Sequence, residues 1–371
     1  MALPLLSGIR VLDLSQYLPG PYCAQMLADL GAEVVKVEPP AGDPLRRFDP
    51  PDADGLAACY KLLNAGKRVI LLDLKAAADQ ETLSRLLQKA DVLVESFRPG
   101  TLDRLGFPRH RLQALRPDLV HVAISGWGQS GPYRLRAGHD LTYMALGGGL
   151  IASGTAATPL MSYPPVADHG SAVQGVAAVC AALFARSRGA GGAYLDISLM
   201  ETVLGWQSMA LTLARRGQAP RRGDDLLTGG AAYYNLYRCA CGGFAVLAPI
   251  EEKFWRAFCL AVGRPEWVAR QHEPLPQEAL KADVAVLFGS RSLAQWQTVL
   301  DPVDCCFEAV PELAALAQHP HIQARGQVVE HPGEEPLLET RLGLRLNGGA
   351  PPARMPLREA DWREVLADWA E

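Results

Sequence analysis

Two short stretches set ionisable side chains against apolar sequence. AGHDLTYMALGGG, residues 137–149, places His139 and Asp140 ahead of an apolar run that closes on three glycines. PPVADHGSAVQG, residues 164–175, carries a second pair, Asp168 and His169. Singly, each residue has an ordinary structural use. Asp168 stands at a strand-to-helix turn, at or near the N-cap, where aspartate is favoured because its carboxylate accepts a backbone N–H. The histidines pass for polar core or surface residues, and Glu251 falls in the first turn of a helix, where the dipole favours an acid. Together they suggest more. A histidine and a carboxylate at turns beyond the carboxyl ends of strands, with a further acid to orient the histidine, make a proton-transfer site.

The elements that would position these groups are legible in the first third of the chain. IRVLDLS, EVVKVEP, KRVILLDLK, DVLVESF and PDLVHVAISGWG are apolar runs of strand length. Helical patterns such as GPYCAQMLADLGA and AADQETLSRLLQKA separate them. Strands alternating with helices predict an α/β, doubly wound parallel sheet. A small-residue helix is predicted from His169 to Arg186, and a strand running into a long helix over residues 191–216. RRGQAPRRGDDLLTGG then reads as a linker. Beyond it a hairpin turning at Gly242–Gly243 and two amphipathic helices predict a smaller α+β domain. The predicted division is a large domain over 1–214, completed by 331–371, a linker over 215–228 and a small domain over 229–330.

Composition removes several function classes. The 371 residues carry a net charge of -4 and 7% aromatics, with no basic or base-stacking footprint for nucleic acid. MALPLLSGIRVLDLS has no basic segment before a long apolar run, so no secretory leader is expected. SAVQGVAAVCAALFAR is shorter and richer in small residues than a bilayer span. A cytoplasmic protein without membrane or nucleic-acid partners is expected. Of the eight cysteines, Cys239 and Cys241 form C-x-C and Cys305 and Cys306 are adjacent, neither at zinc-site spacing. Reduced thiols and no metal are expected. The first strand–helix turn, SQYLPGPY, has a single glycine, Gly20. It lacks G-x-G-x-x-G, so a nicotinamide dinucleotide is not expected, although Glu38 closes the second strand where a ribose-binding acid would stand.

Longer strings carry a resemblance. GIRVLDLSQYLPGPYCAQMLADLGAEVVKVEPP, LNAGKRVILLDLK, ADVLVESFRPGTLDRLG and SGWGQSGPYRLRAGHDLTYMALGG resemble, in order and spacing, the family III CoA-transferase superfamily of the CaiB/BaiF type. GDDLLTGGAAYYNLYRCACGGFAVLAPIEEKFW and DCCFEAVPELAALAQHPHIQARG resemble its α-methylacyl-CoA racemase branch. The resemblance implies an interlocked homodimer of large doubly wound and small α+β domains, with the site between the large domain of one subunit and the small domain of the other. It puts Asp168 on the superfamily's shared carboxylate, His139 on the racemase histidine and Glu251 on the acid that pairs with it from the other chain. It implies Lys67, Arg68 and Arg98 as CoA contacts, with Gly138 and Tyr143 lining the same site. Coenzyme A enters as part of an acyl-CoA thioester substrate, with no separate cofactor. APIEEKF stands where transferases tend to carry a glycine-rich loop, which favours the racemase branch. Pro39 stands where many relatives have arginine; Lys36, Arg46 and Arg47 are the nearby cations. The implied activity is epimerisation of a 2-methylacyl-CoA through an enolate. The helix after Asp168 would offer N–H donors to the enolate oxygen. The alternatives are a CoA-transferase with Asp168 as nucleophile and an acyl-CoA-binding protein without turnover.

Overall fold

Six apolar segments form one parallel sheet: β1 (Arg10–Asp13), β2 (Glu33–Glu38), β3 (Arg68–Leu71), β4 (Val92–Glu95), β5 (Val120–Ser125) and β6 (Ala193–Ser198). Every residue of β4 and β5 is buried, as expected of central parallel strands covered by helices on both faces. The order β3-β2-β1-β4-β5-β6 reverses between β1 and β4. In open α/β sheets such a reversal opens a crevice beyond the carboxyl ends of the strands. The computed structural model describes residues 3–333 and 335–370.

One face of the sheet packs Leu12, Val35 and Leu93 against Leu83, Leu86 and Phe107 and against Val365 and Trp369 from the end of the chain. The other face carries the helix Val166–Ser187, which packs on the helix Pro19–Asp29 and on β5 and β6. Gly175 permits that approach: a Cβ there would lie 3.1 Å from Cys23 Sγ. By length and mean hydropathy this 22-residue helix would suffice to cross a membrane. It starts three residues earlier than expected and ends one later.

The chain divides into two units. The first comprises residues up to Gly147, Ser162–Gly205 and the segment from Ala317 on; the second comprises Gly148–Met161 and Trp206–Leu316. These bounds differ from the sequence-based ones. Residues 148–161 join the second unit, where Arg222 donates to Ile151 O (2.8 Å) and Thr155 O (3.1 Å). The single long helix expected after β6 is two, Leu199–Gly205 and Ser208–Arg215, broken where the chain passes between units. In the second unit β7 (Asn235–Arg238) and β8 (Phe244–Leu247) form the expected hairpin, and β9 (Phe307–Ala309) pairs antiparallel with β8. Its core is aromatic, with Phe288 stacked on Tyr237 at 5.2 Å and tilted against Trp296 at 5.2 Å. The tail adds an antiparallel pair, β10 (Val328–His331) and β11 (Leu337–Thr340), and a short β12 (Arg358–Glu359) that joins the edge of β3 in parallel. With it the main sheet has seven strands.

Charges are buried beside the crevice. Lys67 Nζ is 2.9 Å from Asp13 Oδ2, 2.9 Å from Pro21 O and 3.0 Å from Asn64 Oδ1. Lys36 pairs with Asp43 at 2.9 Å and donates to Ser15 O. Burial alone would raise the Asp13 pKa, yet Lys67, Lys36 and Ser15 together hold it below the usual carboxylate range. Breaking such a pair leaves a charge without a partner, at a cost of about 3–5 kcal/mol, whereas replacing both partners costs far less. Urea unfolding at pH 7 should therefore show Lys67→Ala destabilised by about that amount, with Asp13→Leu/Lys67→Met restoring most of the loss.

Candidate functional site

The loops past β1 and β4 are joined at the strand reversal. The Gln16 N–H donates to Ser96 Oγ at 2.9 Å. The helix Pro19–Asp29 comes so close that a Cβ on Gly20 would lie 2.2 Å from Ser15 Cβ. Gly20 thus serves contact within the protein. Glu38 is likewise committed: it accepts from Tyr60 Oη, Arg46 Nε and the Asp43 N–H. Neither residue is presented as a dinucleotide fingerprint requires.

Past β5 the chain carries the helix Asp140–Leu146, with His139 as its N-cap residue. The His139 N–H donates to Thr142 Oγ1 at 3.1 Å. The ring of Tyr143 is packed edge-on against Trp127, centroids 4.9 Å apart. Two glycines make room for that ring: a Cβ on Gly126 would lie 2.3 Å from it, and one on Gly138 2.7 Å. Gly138 is therefore a steric requirement of Tyr143, which lies at the carboxyl end of β5.

Asp168 is the third residue of the helix Val166–Ser187, and the N-cap is Pro165, which has no side-chain acceptor. The acceptor for this first turn is Asp140, the residue after His139. Its Oδ1 takes the N–H of Ala167 at 2.7 Å and that of Asp168 at 3.1 Å. This corrects two expectations. Asp168 does not cap its own helix, and the helix expected to begin after it begins at Val166, so that its leading donors are the N–H groups of Ala167 and Asp168, already bound to Asp140.

Freed from capping, the half-buried Asp168 carboxylate meets no hydrogen-bond donor among the described residues. Burial and the Asp140 charge push its pKa up to about 7. Tyr143 is pushed up to about 12, first by burial and then by Asp168, with the Arg98 charge opposing. Asp168, Tyr143 and Arg98 therefore share one electrostatic neighbourhood, joined through Asp140 to His139. Arg98 is exposed just beyond β4 and has no ion-pair partner among the described residues. His169 points elsewhere: Nδ1 lies 2.6 Å from Pro165 O, and its ring meets Tyr22 edge-on.

The remaining expected residues fare differently. Lys67 is 1% exposed with its donors spent inside the protein, so it presents no charge to a ligand. Arg68 opens β3 and is paired with Glu33 and Asp368. Lys36 is fully buried and Arg46 is bound to Glu38, which leaves Arg47 as the exposed cation near Pro39. Glu251 belongs to the second unit, as the exposed N-cap residue of the helix Glu252–Ala261 and not in its first turn, with no capping bond from its side chain.

A slot of about 130 Å³ opens at the carboxyl ends of β1 to β4, walled mainly by Leu14, Val37, Pro39, Leu72, Phe97 and Leu105, with Gln16, Glu38, Asp73 and Lys75 as its polar lining. Composition does not single out Lys75 or this wall. A larger cavity of about 430 Å³ between Asp52–Ala65 and the tail segment His331–Leu357 is lined by none of the expected site residues. All eight cysteines are free thiols.

Comparison with known proteins places this geometry. The chain matches the CoA-transferase family III over residues 6–361. It is 32% identical over 332 residues to the alpha-methylacyl-CoA racemase of Homo sapiens, covering 87% of this chain and 82% of that one. It is 33% identical over 350 residues to the succinate–glutarate CoA-transferase of Agrobacterium fabrum, covering 90% and 86%. Among solved structures, a CAIB/BAIF family protein from Brucella suis aligns over 100% of both chains with a TM-score of 0.86 and 27% identity. Racemase and transferase relatives stand at similar identity, so the comparisons establish the family and not a single activity.

The raised Asp168 pKa has a stability signature. A carboxyl whose folded pKa lies above its unfolded value of 3.8 holds its proton more tightly when folded. Its contribution is complete below pH 3.8 and is lost as pH rises to about 7. Asp168→Asn should match the wild type in stability near pH 4 and exceed it increasingly up to pH 7, by on the order of 1–4 kcal/mol. Above pH 7 the difference should level off. Urea denaturation across this range measures it.

Proposed function

The chain belongs to the CoA-transferase family III, and we propose that it is an enzyme of that family which epimerises 2-methylacyl-CoA thioesters by removing the α-proton from one face of the α-carbon and delivering another proton to the opposite face. The observation that carries this reading is an unbonded carboxylate, Asp168, pushed up to about 7 and tied through one turn to His139.

In the forward direction one group takes the α-hydrogen as a proton, and the C–H electron pair moves onto the thioester carbonyl to give an enolate. The opposed group then delivers its own proton to the other face as the enolate collapses. In the reverse direction the roles exchange. Such catalysis is most efficient when the acid and base have pKa values near the working pH, which is what burial and Asp140 supply at Asp168. Glu251, from the second copy in a homodimer, orients the His139 imidazole. With the Ala167 and Asp168 N–H groups occupied, the Tyr143 hydroxyl and Arg98 are the donors assigned to the enolate oxygen. The Tyr143 hydroxyl stays protonated because its pKa is raised.

The slot at the strand reversal suits the purine of coenzyme A: it is ring-sized and mostly apolar, with Lys75 at its edge. Lys75 and Arg47 are the cations assigned to the phosphates. A homodimer is supported by apolar side chains left uncovered in each unit, Phe184 at 66% exposure in the first and Met209 at 66% in the second.

The second reading, transfer of coenzyme A between carboxylic acids, is favoured by the transferase relatives and by the same unbonded carboxylate. There Asp168 attacks the thioester carbonyl, expels the CoA thiolate and forms a mixed anhydride. The two readings separate cleanly. In D2O, a single enantiomer of a 2-methylacyl-CoA should undergo inversion with α-deuterium uptake. His139→Ala should retain exchange from one enantiomer and Asp168→Asn from the other, with inversion falling about 10²–10⁴-fold in each. The covalent route instead predicts loss of activity in Asp168→Asn, little effect of His139→Ala, and an Asp168 hydroxamate when acyl-CoA turnover is quenched with hydroxylamine. Acyl-CoA binding by calorimetry with neither exchange nor transfer would identify a protein that binds without turnover.

A further inference from the structure

We propose that Asp140 is a positioning residue whose carboxylate clamps the turn bearing Asp168 to the turn bearing His139, and so sets the separation of the two acid/base groups. The proposal rests on the two-base reading above and adds a residue to it.

The first N–H groups of a helix have no partner within the helix and need an outside acceptor. Ser, Thr, Asp or Asn at the N-cap ordinarily provides one. Pro165 cannot, and the acceptor comes from 27 and 28 positions upstream, as Asp140 Oδ1 on Ala167 and Asp168. Those bonds fix the Asp168 backbone at the second and third positions of its helix. Asp140 is itself held by the helix Asp140–Leu146, whose N-cap residue is His139. The path from His139 to Asp168 is thus one peptide link and one pair of hydrogen bonds. The alternative path along the chain runs through Gly148–Met161, which belongs to the other unit. The two helices also pack on each other, and the clamp adds to that packing a fixed bond at the turn that bears Asp168.

The clamp has an electrostatic consequence. Asp140 places a negative charge beside Asp168 while offering the Asp168 carboxylate no hydrogen-bond donor. Tyr143 on the facing helix feels the Asp168 charge, with Arg98 on the loop after β4 acting on Tyr143 in the opposite sense; His139 is the N-cap residue of that facing helix, and His169 is turned to Pro165 O and the Tyr22 ring. Among the charged groups, burial aside, Asp140 is the one that raises Asp168.

Asn and Ala at position 140 separate the two roles. Asp140→Asn keeps an acceptor for both N–H groups and removes the charge; Asp140→Ala removes both. Carbodiimide labels a protonated carboxyl, so labelling of the Asp168 peptide against pH, read by mass spectrometry, follows its titration without any substrate. The midpoint should fall by about one pH unit or more in Asp140→Asn, and the acid limb of the pH–exchange profile should fall with it. In Asp140→Ala the ratio of inversion to α-deuterium exchange should fall at least about tenfold below that of Asp140→Asn, because a proton taken on one face is no longer matched by delivery on the other. An Asp168 midpoint unchanged in Asp140→Asn, or equal inversion-to-exchange ratios in both variants, overturns the proposal. If the wild type neither exchanges nor inverts any 2-methylacyl-CoA, the epimerase reading fails. The labelling midpoint then still decides whether Asp140 acts on Asp168, and an unshifted midpoint overturns the clamp with it.

Discussion

Asp140 Oδ1 accepts from two backbone N–H groups of the turn that carries Asp168, and the rest of the site is arranged around that contact. An acid in the first turn of a helix is ordinarily stabilised as a carboxylate by the dipole and by local donors. Here the donors have been taken by another acid. Asp168 keeps the helix end as its location and loses its help, while Asp140 adds repulsion. The outcome is a carboxyl whose pKa is pushed up to about 7, which suits the proposed role of taking and giving a proton.

The scaffold supports this in two ways. The parallel sheet reverses between β1 and β4, and the loops sewn there by Gln16 and Ser96 hold the crevice open. Gly126 and Gly138 let the Tyr143 ring lie close against the backbone past β5, so the helix carrying His139 and Asp140 has one seat. The buried ions beneath, Asp13 with Lys67 and Lys36 with Asp43, cement β1 to the neighbouring loops. Their partners lie within the protein, and they hold β1 to the loops around the crevice. Arg47, Lys75 and Arg98 are exposed and have no ion-pair partner among the described residues.

Much of the fold was legible because it is written in local pattern. The apolar runs around Leu12, Val35 and Leu93 are strands, and Gly242, with φ 88°, turns the hairpin where its sequence says. What was not legible depends on distant partners. Arg358 and Glu359 are polar and exposed and become a strand only by pairing with β3. Lys67 reads as a surface cation from its neighbours, and only the converging Asp13, Pro21 O and Asn64 bury it. His139, Asp168, Arg98 and Tyr143 were singled out from residue type and resemblance. Asp140 was passed over because an acid following a histidine at a helix start already has a sufficient local use. Its long-range acceptor role is set by tertiary packing that no spacing encodes.

The central claim is that Asp168 exchanges its proton near neutral pH because burial and Asp140 deny it the usual stabilisation of its charge. Observing the carboxyl carbon of Asp168 by NMR in protein labelled with [γ-13C]aspartate, assigned through the Asp168→Asn spectrum, tests it most directly. A titration midpoint near pH 7 is predicted; a midpoint in the ordinary aspartate range, about pH 3–4, would contradict it.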